Sequence, residues 1–237
     1  MIGWLLQKEL IMGSLISLIR SGDYQSAILY VASSAFVVFC CLPIHELAHA
    51  YVANKLGDDT ARLKGRLTIN PFAHLDIFGT IMIFLFGIGY AKPVPVNPAR
   101  LKHPRRDMAL ISLAGPVSNL LMAFISVSIS YAIVFFSNNV TNVAWVLHTF
   151  FYIAASVNAT LAIFNFLPIP PLDGSKIFSA ILPDKIYFKI MAYDRYIMIG
   201  LMVLLFTGVL DGVISFLSQI MLGLVSIIPS LIFGGLG

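Results

Sequence analysis

Charge is what this chain has least of. Asp, Glu, Lys and Arg make up 11% of its 237 residues, against about a quarter in an ordinary soluble domain. The scarcity is also uneven, since not one of the four occurs between Asp107 and Asp173. A water-facing surface cannot be built over such a stretch, which is long enough for two membrane-crossing helices and a short turn. Cysteine is nearly missing too. Cys40 and Cys41 are neighbours that cannot bridge one another, so no disulfide framework is implied. The first twenty residues lack the pattern of a cleavable secretory signal: Lys8 and Glu9 interrupt the apolar run, and no small-residue cleavage site follows. They are expected to belong to the mature protein.

What is abundant is apolar. Hydrophobic residues account for 59% of the chain and the mean hydropathy is +0.91, which places it among integral membrane proteins. A net charge of +4 and a pI near 9.1 would suggest nucleic acid in a soluble protein. Here the basic residues gather in inter-helix loops at 55–66, 92–107 and 176–195, with Lys8 and Arg20 opposite. They read as orientation signals facing the cytoplasm and anionic lipid, and no nucleic-acid partner is expected.

The resulting expectation is an all-α polytopic membrane protein, a single membrane-embedded domain over 1–237 with four to six membrane segments and its core at about 27–180. Residues 1–20, with polar Gln7, Lys8 and Glu9 mid-segment, read as an interfacial helix. Spans are expected at about 27–54, 109–136, 143–166 and 196–210, with 213–233 a further span or a membrane hairpin, so that 196–233 is accessory. The apolar run 77–90 is short for a span and holds three glycines, which predicts a re-entrant segment. Arg66 to Ile69 is compatible with a short strand in a cytoplasmic loop; otherwise little or no β structure is expected. Pro43 predicts a kink in the first span.

Within that span lies His45-Glu46-Leu47-Ala48-His49. Residues four apart share a helix face, so His45 and His49 can aim two imidazoles at one metal ion, with Glu46 placed to act on water there. A hydrolytic zinc site needs a third protein ligand and one open position. Asp173 is the best candidate, an acid on a proline-broken segment three residues before Lys176, near the same cytoplasmic surface as His49. The alternative is that Glu46 pairs with a lysine and the histidines bond backbone, but no Lys or Arg lies within helical reach of Glu46, and a lone intramembrane carboxylate is costly.

Taken with Asn165-Phe166-Leu167-Pro168-Ile169-Pro170-Pro171-Leu172-Asp173-Gly174, which fits N-x-x-P-x-P-x-L-D-G without departure, the chain resembles the site-2 proteases, intramembrane zinc metalloproteases. The resemblance spans roughly Pro43 to Ser179. Three further stretches, Gly65 to Asp76, Ala91 to Pro98 and Ala114 to Asn119, make it similar to the compact subgroup without a PDZ or CBS domain. The resemblance implies one Zn²⁺ per chain on His45, His49 and Asp173, Glu46 as catalytic base, and a role in regulated intramembrane proteolysis.

Lesser candidates carry two readings each. Asn165 and Asn119 can contact the substrate backbone or a developing oxyanion, or form interhelical hydrogen bonds. His74 and Asp76 can form a polar pair near the pocket entrance or cap a loop-to-helix junction. Cys41, one turn before His45, reads as a small packing residue, because a fourth ligand would close the site to water. His148 reads as structural or interfacial.

The functional expectation is hydrolysis of a peptide bond in or near a transmembrane segment of another protein, at the cytoplasmic side of the cell membrane, with the lipid bilayer as surroundings and a homo-oligomer allowed. A zinc-binding membrane transporter or sensor without proteolytic activity is the alternative, and a hydrolase of soluble peptides a third reading.

Overall fold

The computed structural model describes residues 15–86, 91–137, 141–183 and 192–234. Helices α1 (Leu15–Ser21) and α2 (Tyr24–Phe36) open the described chain, and the carboxylate of Asp23 caps α2 by accepting the Ser26 amide at 3.0 Å. After α2 the hydrogen-bonding pattern widens to a single π turn, Val37–Cys41, before α3 (Leu42–Lys55) resumes the regular helix. Pro43 is the second residue of α3 in a helix that runs from Tyr24 to Lys55, so its missing N–H removes one bond from the ladder there. The irregularity expected at Pro43 therefore takes the form of a π turn immediately before it.

Past α3 come the short α4 (Thr60–Leu63), a 3₁₀ turn Pro71–Ala73, α5 (Ile77–Phe86) and a second 3₁₀ turn Pro98–Arg100. Then follow α6 (Pro104–Phe136), α7 (Asn142–Phe166), α8 (Asp173–Ser179), α9 (Asp194–Phe206) and α10 (Asp211–Phe233). The described residues contain no strand. The strand considered at Arg66 to Ile69 is not formed. That backbone is irregular, and the Arg66 and His74 side chains supply the bonds a ladder would: Arg66 donates to the Lys92 carbonyl at 2.5 Å, and the His74 ring lies 2.8 Å from the Thr68 carbonyl.

Among the described residues, four helical stretches are long and apolar enough to cross a membrane: Tyr24–Lys55, Pro104–Phe136, Asn142–Phe166 and Asp211–Phe233. The protein is a multi-pass membrane protein. The last of these is one continuous helix. By contrast α9, expected as a span at 196–210, has only 13 residues, about 20 Å at helical rise, too little for a hydrocarbon core of about 30 Å. Helix α5, with 10 residues, is also too short to cross; residues 87–90 of the expected re-entrant segment lie outside the described residues, as do 1–14 of the expected interfacial helix.

Helix α6 organises the bundle and shows how a lipid-facing chain inverts the usual pattern. Its outer face carries exposed Leu113, Val117, Leu121, Ile125 and Ile129 at four-residue spacing, while its inner face buries Ser112, Gly115, Asn119, Ala123, Ser126 and Ser130. Small and polar residues inside let helices approach closely where lipid gives hydrophobic side chains no reason to hide. Against this inner face pack α3, α7, α8 and α10. Pro116 interrupts the α6 ladder, and the Ser118 hydroxyl donates to the Gly115 carbonyl at 2.7 Å one turn away. A separate apolar cluster of Leu29, Val37, Val38, Leu42, Ile83, Ile153 and Leu161 joins α2, the π turn, α3 and α5 to α7.

Candidate metal centre

Helix α3 turns His45 and His49 toward α6 and toward the start of α8. The His49 Nε2 lies 3.1 Å from the His45 Nε2, and the Asp173 Oδ2 lies 3.1 Å from the former and 3.4 Å from the latter. All three residues are at most 9% exposed. These are three unshared electron pairs aimed at one point. Burial alone raises the Asp173 carboxyl, but without a metal a facing imidazole in its protonated form outweighs it and holds the group well below the usual carboxylate range.

The donor set fits a zinc ion. Nitrogen ligands at about 2.0–2.1 Å in a tetrahedral shell stand about 3.3–3.4 Å apart, close to the separations found. The tautomer fits as well. His49 Nδ1 lies 2.7 Å from the Ile111 carbonyl, to which it must donate, leaving the Nε2 lone pair free.

Two glycines make this geometry possible. A Cβ on Gly115 would lie 2.3 Å from His49 Nε2 and 2.5 Å from His45 Cε1, so α6 can pass the imidazole pair only at a residue without a side chain. A Cβ on Gly174 would lie 2.3 Å from the carbonyl oxygens of both Phe166 and Leu167. That absence lets the chain fold back tightly after α7, so that Asp173 begins α8 beside the histidines. The turn is closed by Leu172 donating to the Ile169 carbonyl at 2.9 Å and by the Ser175 hydroxyl donating to the Leu172 carbonyl at 2.7 Å.

Glu46 is 5% exposed and lines the same cavity, about 480 Å³, as His45, His49 and Asp173. Its Oε2 accepts the Val94 amide at 3.2 Å. Val94 belongs to the extended loop 91–98, which is tied down along its length. Lys92 donates to the His74 carbonyl at 2.8 Å, and Asn97 donates to the Asp58 carboxylate at 2.6 Å. Burial pushes the Asp58 carboxyl up, but donors from Thr60 and Asn97, with Arg100 nearby, outweigh it and hold the group below its ordinary value. Met198, Leu201 and Met202 of α9 complete an apolar wall opposite the loop.

The other residues singled out from the sequence fall in different places. Asn165 lines the cavity, with its amide donating to the Leu161 carbonyl at 3.0 Å. Asn119 is fully buried in α6, one turn from Gly115, and is not among the cavity-lining residues. His74 is fully buried in the loop that anchors Lys92, and Asp76 accepts the Gly79 amide at 2.9 Å at the start of α5; neither lines the cavity. Cys41 is buried in the apolar cluster, outside the ligand group. His148 meets Ser130 of α6 at 2.8 Å. Sequence reading missed the Val94 amide, the Ile111 carbonyl and the Gly115 contact. The motifs holding Val94 and Gly115 were visible, but nothing in their spacing says which helix they meet.

A membrane helix bundle with an H-E-x-x-H pair and a distant aspartate meeting in one cavity defines a membrane-embedded zincin. The signature of Peptidase family M50 matches residues 132–208. "Putative zinc metalloprotease YwhC" of Bacillus subtilis is 45% identical over 169 residues, which cover 69% of this chain and 75% of that protein. The chain belongs to this family, the site-2 proteases, and is a zinc metalloprotease. "Putative zinc metalloprotease Rip2" of Mycobacterium tuberculosis is 29% identical over 76% of this chain and 68% of its own length. "Zinc metalloprotease MJ0392" of Methanocaldococcus jannaschii is 27% identical over 63% of this chain but only 34% of its own length. No solved structure matches the chain.

Proposed function

We propose that the protein hydrolyses a peptide bond within or near a transmembrane segment of a substrate protein, with Glu46 as general base and His45, His49 and Asp173 as the ligands of one zinc ion. The observation that carries this reading is the convergence of the three ligand atoms in a cavity that also contains the Glu46 carboxylate and lies among membrane helices. Zinc supplies a Lewis acid that polarises the scissile carbonyl and makes water acidic enough to attack near neutral pH. Glu46 takes the proton from the attacking water and delivers it to the leaving amine. The Val94 amide, donating to Oε2, fixes the carboxylate's orientation through both transfers.

The cavity walls are mostly aliphatic and Met-rich, and suit an apolar chain. A helical substrate must unwind locally before its carbonyl can be attacked, because helix carbonyls are already hydrogen-bonded. The Lys and Arg content of the inter-helix loops supports a site toward the cytoplasmic face of the cell membrane, by the positive-inside rule.

The deciding experiment is cleavage of a membrane-protein substrate in detergent by the wild type and by Glu46→Gln, with zinc content measured on both. Retained zinc with at least about 10³-fold slower cleavage is the expected result, given how much catalysis rests on a general base. Equal cleavage by the two proteins removes Glu46 from the role of base.

A further inference from the structure

A buried polar layer lies one helical turn deeper than the two imidazoles. Helices α3 and α6 run antiparallel, as three levels of contact show. Ala53 packs with Leu101 and Ile111, with Leu56 and Met108 alongside; His49 bonds Ile111; and both imidazoles abut Gly115. Continued by one turn, this register pairs the level of Cys41, four residues before His45, with that of Asn119, four after Gly115. Asn158 of α7 reaches the same level, its side-chain amide facing the Cys41 thiol.

Both asparagines are 0% exposed. Asn119 Nδ2 and Oδ1, Asn158 Oδ1 and His45 Nδ1 are all buried, and none has a hydrogen-bond partner among the described residues. The two ligand histidines thus differ. A histidine that offers Nε2 to a metal carries its proton on Nδ1 and almost always donates it. His49 donates to Ile111, whereas the Nδ1–H of His45 has no acceptor among the described residues.

We propose that Asn119 and Asn158 form a buried water site that positions His45. An ordered water accepts the His45 Nδ1–H and donates to Asn158 Oδ1, and the Asn119 amide anchors it from α6. A water with two to four polar partners in an otherwise closed interior is what such orphaned groups recruit. Asn119 and Asn158 are positioning residues: they act on the metal through the tautomer and orientation of His45. The proposal rests on the zinc reading of the site above.

The test uses the purified full chain in detergent. Zinc affinity is read by competition with a chromophoric chelator, and ligand geometry by the visible bands of the Co²⁺-substituted protein. Asn119→Leu and Asn158→Leu are each expected to weaken zinc binding by about 10- to 100-fold and to shift the Co²⁺ bands, the usual effect of losing a ligand's supporting partner. The double variant is expected to lose little more than either single one, because both act through one water. Asn119→Ser, which puts a hydroxyl that can donate and accept in place of the amide, is expected to recover most of the loss. Should Asn119→Leu fail to fold, Asn158→Leu and Asn119→Ser carry the same comparison. Unchanged zinc affinity and unchanged Co²⁺ bands, with only a lower melting point of the metal-free variants, overturn the proposal and mark a packing role. Wild-type protein that binds no zinc overturns it together with the reading of the site itself.

Discussion

His45 and His49 reach the metal centre by one route and Asp173 by another. The histidines sit four apart on a regular helix, so the distance between them is set by helical geometry before any tertiary contact forms. Asp173 stands on the first residue of a seven-residue helix after a turn with prolines at 168, 170 and 171, and nothing local aims it at α3. Its position is a tertiary result, fixed by the fold-back over Gly174 and by the packing of α8 on α6. One half of the site is therefore preformed, while the other is assembled. Perturbing the two halves separately should give different signatures, loss of metal from the first and loss of metal together with fold stability from the second.

The largest effect is expected from removing Asp173, the proposed third ligand. Asp173→Ala should take zinc from one per chain toward none and abolish cleavage, because two imidazoles alone leave a hydrolytic site one ligand short. Metal analysis after dialysis checks this. Loss of zinc from His45→Ala but not from Asp173→Ala would place the third ligand elsewhere.

The glycines sharpen the contrast. Gly115→Ala sets a methyl 2.3–2.5 Å from side-chain atoms of the preformed pair, which can give way only by leaving their ligating positions. A 10- to 100-fold weaker zinc affinity is expected, by analogy with the loss of a ligand's supporting partner, with the metal-free melting point little changed. Gly174→Ala drives a methyl into two backbone carbonyls, which cannot swing aside. It should cost about 1–3 kcal/mol of stability, as overpacking does, and weaken zinc binding as well. Chelator competition and thermal melts on both variants separate the two outcomes.

The same contrast explains what could be read from the chain. The H-E-x-x-H spacing is local chemistry written in consecutive residues, and the four spans follow from apolar runs, so the helical membrane class and the histidine pair were legible at once. Asp173 is legible locally only as an acid beside a broken helix, and it takes the resemblance of Asn165 to Gly174 to imply a ligand there. The Val94 and Ile111 bonds join residues 48 and 62 positions apart and involve backbone groups that every residue possesses, so no residue type advertises them. The expected span 196–210 ends short because the helix stops at Phe206 and residues 207–210 are turns, which hydropathy alone does not mark. The short strand that Arg66 to Ile69 would allow does not form, and the Arg66 guanidinium instead holds the Lys92 carbonyl, a partner 26 residues away that local sequence does not mark.

A smaller effect is expected at the loop that steadies Glu46, the proposed base. Val94→Pro deletes the amide that Glu46 accepts, in a segment whose neighbours Pro93 and Pro95 already impose extended backbone. A hydrogen bond to a charged group contributes about 1.5–3 kcal/mol, so cleavage should slow by roughly 10- to 100-fold while zinc content stays at the wild-type level. Loss of zinc in this variant would mean that the loop supports the ligands, not the base.

The smallest effect should be a pH dependence confined to that loop's outer anchor. Asp58 holds the Asn97 amide, and its carboxyl lies below its ordinary value, because donors from Thr60 and Asn97 outweigh burial. A carboxyl whose folded pKa is depressed stabilises the fold fully above its unfolded value, about 3.9, and that contribution is lost as the pH falls through the lower folded value. The anchor is therefore intact at neutral and mildly acidic pH and fails only below about pH 4. Asp58→Asn carries no titrating group, so its stability should lack this acid limb. Thermal melts of the two proteins between neutral pH and about pH 3 should then converge as the pH drops. Parallel melting curves over that range would show that Asp58 does not tie the loop through its charge. Acid sensitivity in the metal-free and zinc-loaded proteins alike would keep the effect on the loop and away from the ligands.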